Sequence, residues 1–236
     1  MRKIGVITDV HGNLPALTAA LDAMDAEGCD TVVHTGDAIA IGPYPAECLE
    51  LLLNRSHTHV LMGNHDEYFA FDLLSSRPEW MHEQEWEHQR WTHSQLTEAM
   101  RQQVAQWPYA IDMPLGSGVA TFCHYARTPD NTGFAEIVTD PAPPDLDLLF
   151  KSQADVTFYG HHHPTSDLQG ESRYINPGAL GCHVLPEARF AVLSIDDDGS
   201  WSVALRSVEY DRELLFREFN QRNVPGNDIL RMFFGQ

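Results

Sequence analysis

"KIGVITDVHGNLPALTAALDAM" (Lys3 to Met24) carries two hydrophobic periods back to back. Lys3 to Thr8 is a short apolar run of the buried-strand type. From Leu14 onward the pattern changes, with Leu14, Leu17, Leu21 and Met24 recurring at three and four residues, one face of a helix. Asn13 stands where an N-cap belongs and Gly28 where a helix stops. The unit then repeats. "TVVH" (Thr31 to His34) reads as a second strand, Pro45 opens a second helix through Cys48, Leu49 and Leu52, and "THVLM" (Thr58 to Met62) reads as a third strand. Strand–helix alternation of this kind predicts parallel βαβ units and a layered α/β fold.

Further along, about 67–107 reads as wholly helical, with Trp80, Trp86 and Trp91 among many charges. The second half is strand-like at "VATFCHY" (Val119 to Tyr125), "DVTFYG" (Asp155 to Gly160), "SRYINPG" (Ser172 to Gly178), "RFAVLSID" and "WSVALRSVEY". The last two are joined by "DDGS", a hairpin turn. A helical tail over about 211–236 is interrupted at "VPGN" and ends in Met232, Phe233 and Phe234, an apolar end fit to dock on the core or on a second copy as a homodimer. "DPAPPD" (Asp140 to Asp145) reads as a loop rather than a linker. One domain over 1–236 is the simplest organisation.

The chain has 236 residues, 43% hydrophobic and 21% charged, the profile of a globular protein with a sizeable core. Its formal charge of −19 argues against stable nucleic-acid binding, because such a surface repels phosphate backbones. A phosphate substrate would need local positive charge, which the scattered lysines and arginines do not supply and bound metal ions could. The four cysteines lack CxxC spacing and read as reduced thiols of a cytoplasmic protein. No run of apolar residues is long enough for a signal segment or a membrane span.

Five stretches following expected strands end in metal-ligating side chains: "TDVHGN" with Asp9 and His11, "HTGD" with Asp37, "MGNHDE" with Asn64, His65 and Asp66, "FCHY" with His124, and "YGHHHPT" with His161 and His163. Singly each has a bland reading, as a turn or a buried histidine. In extended backbone, residues i and i+2 point to the same side, so each D-x-H or H-x-H pair could reach one ion. All five stretches fall at the carboxyl ends of strands, where open α/β sheets bind ligands.

D-x-H, G-D, G-N-H-D, an isolated H and G-H-x-H, in this order, resemble the calcineurin-like metallophosphoesterases over about 3–211. "DVHGNLPAL", "GDAIAIGPYPAEC" and "NPGALG" look most like its small bacterial phosphodiesterase branch, whose members resemble diadenosine tetraphosphate hydrolases. The resemblance implies a layered sandwich of mixed β-sheets flanked by helices, and two divalent metal ions. Asp9, His11 and His163 would hold one ion, Asn64, His124 and His161 the other, and Asp37 both. Mixed oxygen and imidazole donors suit Mn²⁺ first, then Fe, Zn²⁺ or Co²⁺. The implied reaction is hydrolysis of a small phosphodiester, nucleotide or dinucleoside polyphosphate by metal-activated hydroxide. His65 would act as the catalytic histidine and Asp66 would orient its ring.

His162 is expected to face away from the ions. Ala179 and His183 depart from the branch's usual residues after "NPG", and "FCHYART" departs from its usual loop around His124, so substrate contacts do not carry over. His34, His57, His59, His82, His88 and His93 read as surface or structural. The tryptophans Trp80, Trp86, Trp91 and Trp107 read as helix-to-sheet packing, with a base-stacking platform as the alternative. Two other functions compete: a metal-bound interaction scaffold on a retained hydrolase fold, and a metal-dependent nuclease. A degenerate scaffold would be expected to have lost His65 or some ligands; the full set is present.

Overall fold

The computed structural model describes residues 1–73, 76–79 and 81–236. Its first half follows the alternation: β1 (Arg2–Ile7), α1 (Leu14–Glu27), β2 (Thr31–His34), α2 (Pro45–Asn54), β3 (Thr58–Val60). Asn13 caps α1 by accepting from Ala16 N at 3.2 Å, and Gly28 ends it in the left-handed conformation. The stretch expected to be wholly helical divides into α3 (Asn64–Ala70), α4 (Glu83–Ser94) and α5 (Glu98–Val104). Trp80 lies outside the described residues.

The second half is β4 (Ala110–Leu115), β5 (Gly118–Cys123), α6 (Pro143–Phe150), β6 (Val156–Phe158), β7 (Ser166–Gln169), β8 (Arg173–Asn176), β9 (Glu187–Ile195) and β10 (Trp201–Glu209). The tail is α7 (Arg212–Gln221), α8 (Asn227–Leu230) and a 3-10 turn over Arg231–Phe234. Strands β4 and β7 and helix α6 were not anticipated. Both strands lie at sheet edges with every second residue half or fully exposed, so neither shows an apolar run. The "DPAPPD" loop is shorter than expected, because its prolines open α6, where a missing N–H costs nothing.

Two mixed five-stranded sheets form, ordered β10-β9-β1-β2-β3 and β4-β5-β6-β8-β7. In the first, β1, β2 and β3 are parallel; in the second, β5, β6 and β8 are. Ile4, Val6, Val33 and Leu193 of the first sheet share one core cluster with Phe122, Val156, Phe158 and Ile175 of the second, so the sheets stack face to face. Ile7 and Val32 instead join Leu17, Met24 and Leu49 under α1 and α2, while Tyr174 and Tyr159 join Leu146 under α6. The strand period of two thus sends alternate side chains to the inter-sheet and helix-facing cores. The result is a helix–sheet–sheet–helix sandwich. Phe234 of the tail is buried against Phe219, while Met232 and Phe233 beside it stay exposed. Trp107 is buried beneath β2 and Trp91 packs on the tail cluster, which assigns both to packing. No helix among the described residues is long and apolar enough to cross a membrane.

Candidate metal centre

The parallel strands of both sheets open onto one edge, and every expected ligand lies just beyond them. Asp9 and His11 follow β1, Asp37 follows β2, Asn64 and His65 follow β3, His124 follows β5, and His161 and His163 follow β6. The i, i+2 pairs do not converge through extended backbone. Asp9, His11, Asp37, His161 and His163 all have positive φ, between +47° and +72°. Left-handed residues turn the chain sharply, so the side chains meet through a run of strained turns, a conformation that non-glycine residues hold only when the surroundings enforce it.

The donor atoms come together. Asp9 Oδ1 lies 3.7 Å from His11 Nε2 and 3.5 Å from His163 Nε2. Asp37 Oδ2 lies 3.8 Å from His11 Nε2 and 3.4 Å from His124 Nε2, between the two halves of the cluster. Asn64 Oδ1 is 3.1 Å from His124 Nε2. His161 groups with Asp37 and His124, whereas His163 groups with His11, so the two histidines of "HHH" face different partners.

Asp9 and Asp37 are 0% and 2% exposed, and their ion-pair partners among the described residues are imidazoles alone. Burial opposes both charges, yet the surrounding histidines hold both carboxyls below the usual range. His124 is pushed the other way: burial works against its charge, but Asp37 and Asp9 raise it to about 9. Two buried carboxylates without a lysine or arginine call for compensating positive charge. Divalent ions fit this donor set, in which carboxylate and imidazole atoms cluster and the Asn64 amide oxygen adjoins His124.

Two glycines let the loops close on Asp37. A Cβ on Gly63 would overlap Asp37 Oδ1, and one on Gly36, at φ +121°, would come within 2.8 Å of Gly63 Cα. Asp66 occupies a different place from the one expected. Its carboxylate accepts from Asp37 N at 2.7 Å, Gly63 N at 3.0 Å and Ala38 N at 3.1 Å, locking the β2 loop to the start of α3. At the third position of that helix, its side chain is drawn back to the free amides of the N-terminus. Burial and the neighbouring Asp37 raise Asp66 to about 7. The hydrogen bond on the His65 ring comes instead from Gln89 Nε2 to Nδ1, at 2.6 Å. Gln89 sits on α4, 24 residues away, and nothing in the local sequence marks it.

Three other residues were missed. Cys182 joins His11 and His163, though burial keeps its thiol well above the ordinary range and so protonated. Arg127 is ion-paired to buried Glu67 at 3.0 Å and sandwiched between Tyr109 and Phe134. Phe134 in turn lies edge-on to His124 and stacked near His161, walling that side of the cluster. His162 belongs to none of the ligand groups among the described residues. His183 pairs with Arg189 outside the cluster, while the loop bearing Ala179 hydrogen-bonds along the end of β1 and to the His163 carbonyl.

The model of the calcineurin-like phosphoesterase family matches residues 2–192. The chain belongs to this family. An uncharacterized protein of Methanocaldococcus jannaschii is 25% identical over 262 aligned positions, covering 99% of this chain and 98% of its own. In fold the chain is similar to a hypothetical protein of Pyrococcus horikoshii, with 21% identity, a TM-score of 0.82, and 100% and 99% of the two chains covered. It is also similar to a metallophosphoesterase of Sphaerobacter thermophilus, at 23% identity and TM-score 0.74 with the same coverage. Family membership and the clustered histidines and aspartates together support a phosphoesterase function.

Proposed function

We propose that this chain is a dinuclear metal-dependent phosphoesterase acting on a small phosphodiester. The observation that carries the reading is the convergence of buried Asp9 and Asp37 with His11, His124, His161 and His163, beside His65. Asp9, His11 and His163 would hold one ion, Asn64, His124 and His161 the other, and Asp37 would be shared between them, with Mn²⁺ the first candidate. Bound there, the ions supply positive charge to the phosphoryl oxygens and make hydroxide available at neutral pH.

The chain's own residues do the rest. The bond from phosphorus to the incoming oxygen forms as the bond to the ester oxygen breaks. The departing oxygen takes the electron pair, and His65 gives it a proton. Gln89 supports this role, because its Nε2–H donating to Nδ1 leaves the neutral ring's proton on Nε2. The preference for a diester is supported by Arg127, which Glu67 already neutralises and which is therefore not free to meet a dianion. The charge of −19 argues against the nuclease alternative, and the four free cysteines suit a cytoplasmic location.

The test is the initial rate of bis-p-nitrophenyl phosphate hydrolysis with Mn²⁺, beside p-nitrophenyl phosphate and with His65→Ala as control. Faster turnover of the diester, lost in the variant, is expected. No turnover of either ester with Mn²⁺, Fe²⁺, Zn²⁺ or Co²⁺ would overturn the reading in favour of the metal-bound scaffold.

A further inference from the structure

A cavity of about 430 Å³ opens beside His65, between α4 and the C-terminal tail. His65, His82 and Gln89 line it together with Ile41, Ile229, Leu230 and Phe233. The volume is in the range of pockets that bury a ring-sized ligand group. The lining is mainly apolar, and none of the described residues that form it is a lysine or arginine. Among the described lining residues Glu85 is the one carboxylate. His88, also in the wall, is held neutral, since burial pushes it down to about 3. The tail residues Ile229 and Phe233 are 47% and 49% exposed, large apolar side chains left facing the opening.

We propose that this cavity receives an uncharged, ring-sized ester group of the phosphodiester, on the side from which the alcohol departs, and that it selects against a second phosphate. The assignment rests on the phosphoesterase reading for the position of the phosphorus. His65 joins the two: the residue proposed to protonate the departing oxygen also lines the cavity, so the group attached to that oxygen leaves into it. Charge decides the chemical class. A second phosphate would meet Glu85 and, among the described lining residues, no lysine or arginine, whereas an aryl or similar ring replaces water on Ile41, Ile229, Leu230 and Phe233. A dinucleoside polyphosphate, whose departing group carries its own phosphates, is therefore disfavoured on this side.

Direct binding tests the proposal apart from turnover. The Mn²⁺-loaded protein is titrated calorimetrically with diphenyl phosphate, dimethyl phosphate and phenyl pyrophosphate, using wild type, Ile229→Ser and Phe233→Ser. Both positions are half exposed, so the variants should fold, and circular dichroism checks this. Diphenyl phosphate is expected to bind wild type about 10-fold or more tighter than dimethyl phosphate and than phenyl pyrophosphate, and each variant to narrow the first gap several-fold. Equal affinities in wild type, or an unchanged gap in the variants, would overturn the proposal. So would sedimentation showing that wild type is a dimer and Phe233→Ser a monomer, because the cavity would then receive a second copy. Selective diphenyl phosphate binding without hydrolysis of any diester would sink the enzymatic reading alone.

Discussion

His65 and Gln89 divide one task between two residues, and kinetics can separate them. His65→Ala removes the proton donor and is expected to lower turnover about 10²–10⁴-fold, with bound metal unchanged by elemental analysis. Gln89→Leu leaves the imidazole in place but unheld, and about a 10-fold fall in kcat with KM near wild type is expected. A Gln89→Leu enzyme with wild-type kcat would show that the 2.6 Å hydrogen bond does not position the ring. Asp37 is a harder requirement, since it lies against both halves of the cluster. Asp37→Asn should therefore reduce metal content as well as rate, where His65→Ala reduces rate alone. The chemistry of these residues was readable from the motifs. Gln89 and Cys182 were not: Gln89 is brought in by tertiary packing from a helix with no motif of its own, and Cys182 follows "NPGALG" without belonging to the metal-ligating pattern.

At the scale of the element, the site depends on how closely the strand ends and helix starts can approach. Gly63→Ala puts a methyl group into Asp37 Oδ1, and overpacking of this kind costs about 1–3 kcal/mol. Chemical denaturation of the metal-free protein should show that loss, and metal titration a weaker affinity. Unchanged affinity would mean that the Gly63 loop moves without carrying Asp37. Asn13 ties another pair of elements together. Besides capping α1, its Nδ2 donates to Gly181 O at 2.9 Å and Tyr210 Oη at 3.1 Å. Asn13→Ala is expected to cost about 2 kcal/mol by urea denaturation, more than a cap alone, because buried acceptors lose their donor too. The cap was evident from the sequence; its two distant partners were not.

For the whole molecule, acid sensitivity follows from histidines enclosed without charge. Burial pushes His34 down to about 4, His88 to about 3 and His93 to about 4. In the unfolded chain they take up protons near pH 6.5. Between about pH 6.5 and 4 the unfolded state therefore binds more protons, and stability falls as the pH is lowered through that window. Asp66, raised to about 7, acts oppositely but is outnumbered. The urea midpoint of the metal-free protein should drop between pH 7 and pH 5. Among the described residues, neither ring nitrogen of His34 has a hydrogen-bond partner. His34→Leu should consequently raise the midpoint, and raise it more at pH 5 than at pH 7. An equal shift at both would place His34 outside the titration.

The sequence by itself determined the strand–helix alternation of the first half, the sandwich class through its motifs, and which aspartates and histidines lie at the strand ends. These are local properties: periodicity, caps and the chemistry of side chains within a few residues of a strand. Only the tertiary structure decided how the ligands converge, because five of them adopt left-handed turns that their own sequence does not favour and that surrounding loops enforce. It also decided that Asp66 braces backbone amides while Gln89 holds His65, and that the tail walls a cavity beside that ring. Such contacts join residues far apart in the chain. They exist only once the two sheets have stacked and the helices have packed against them, so no stretch read alone could contain them.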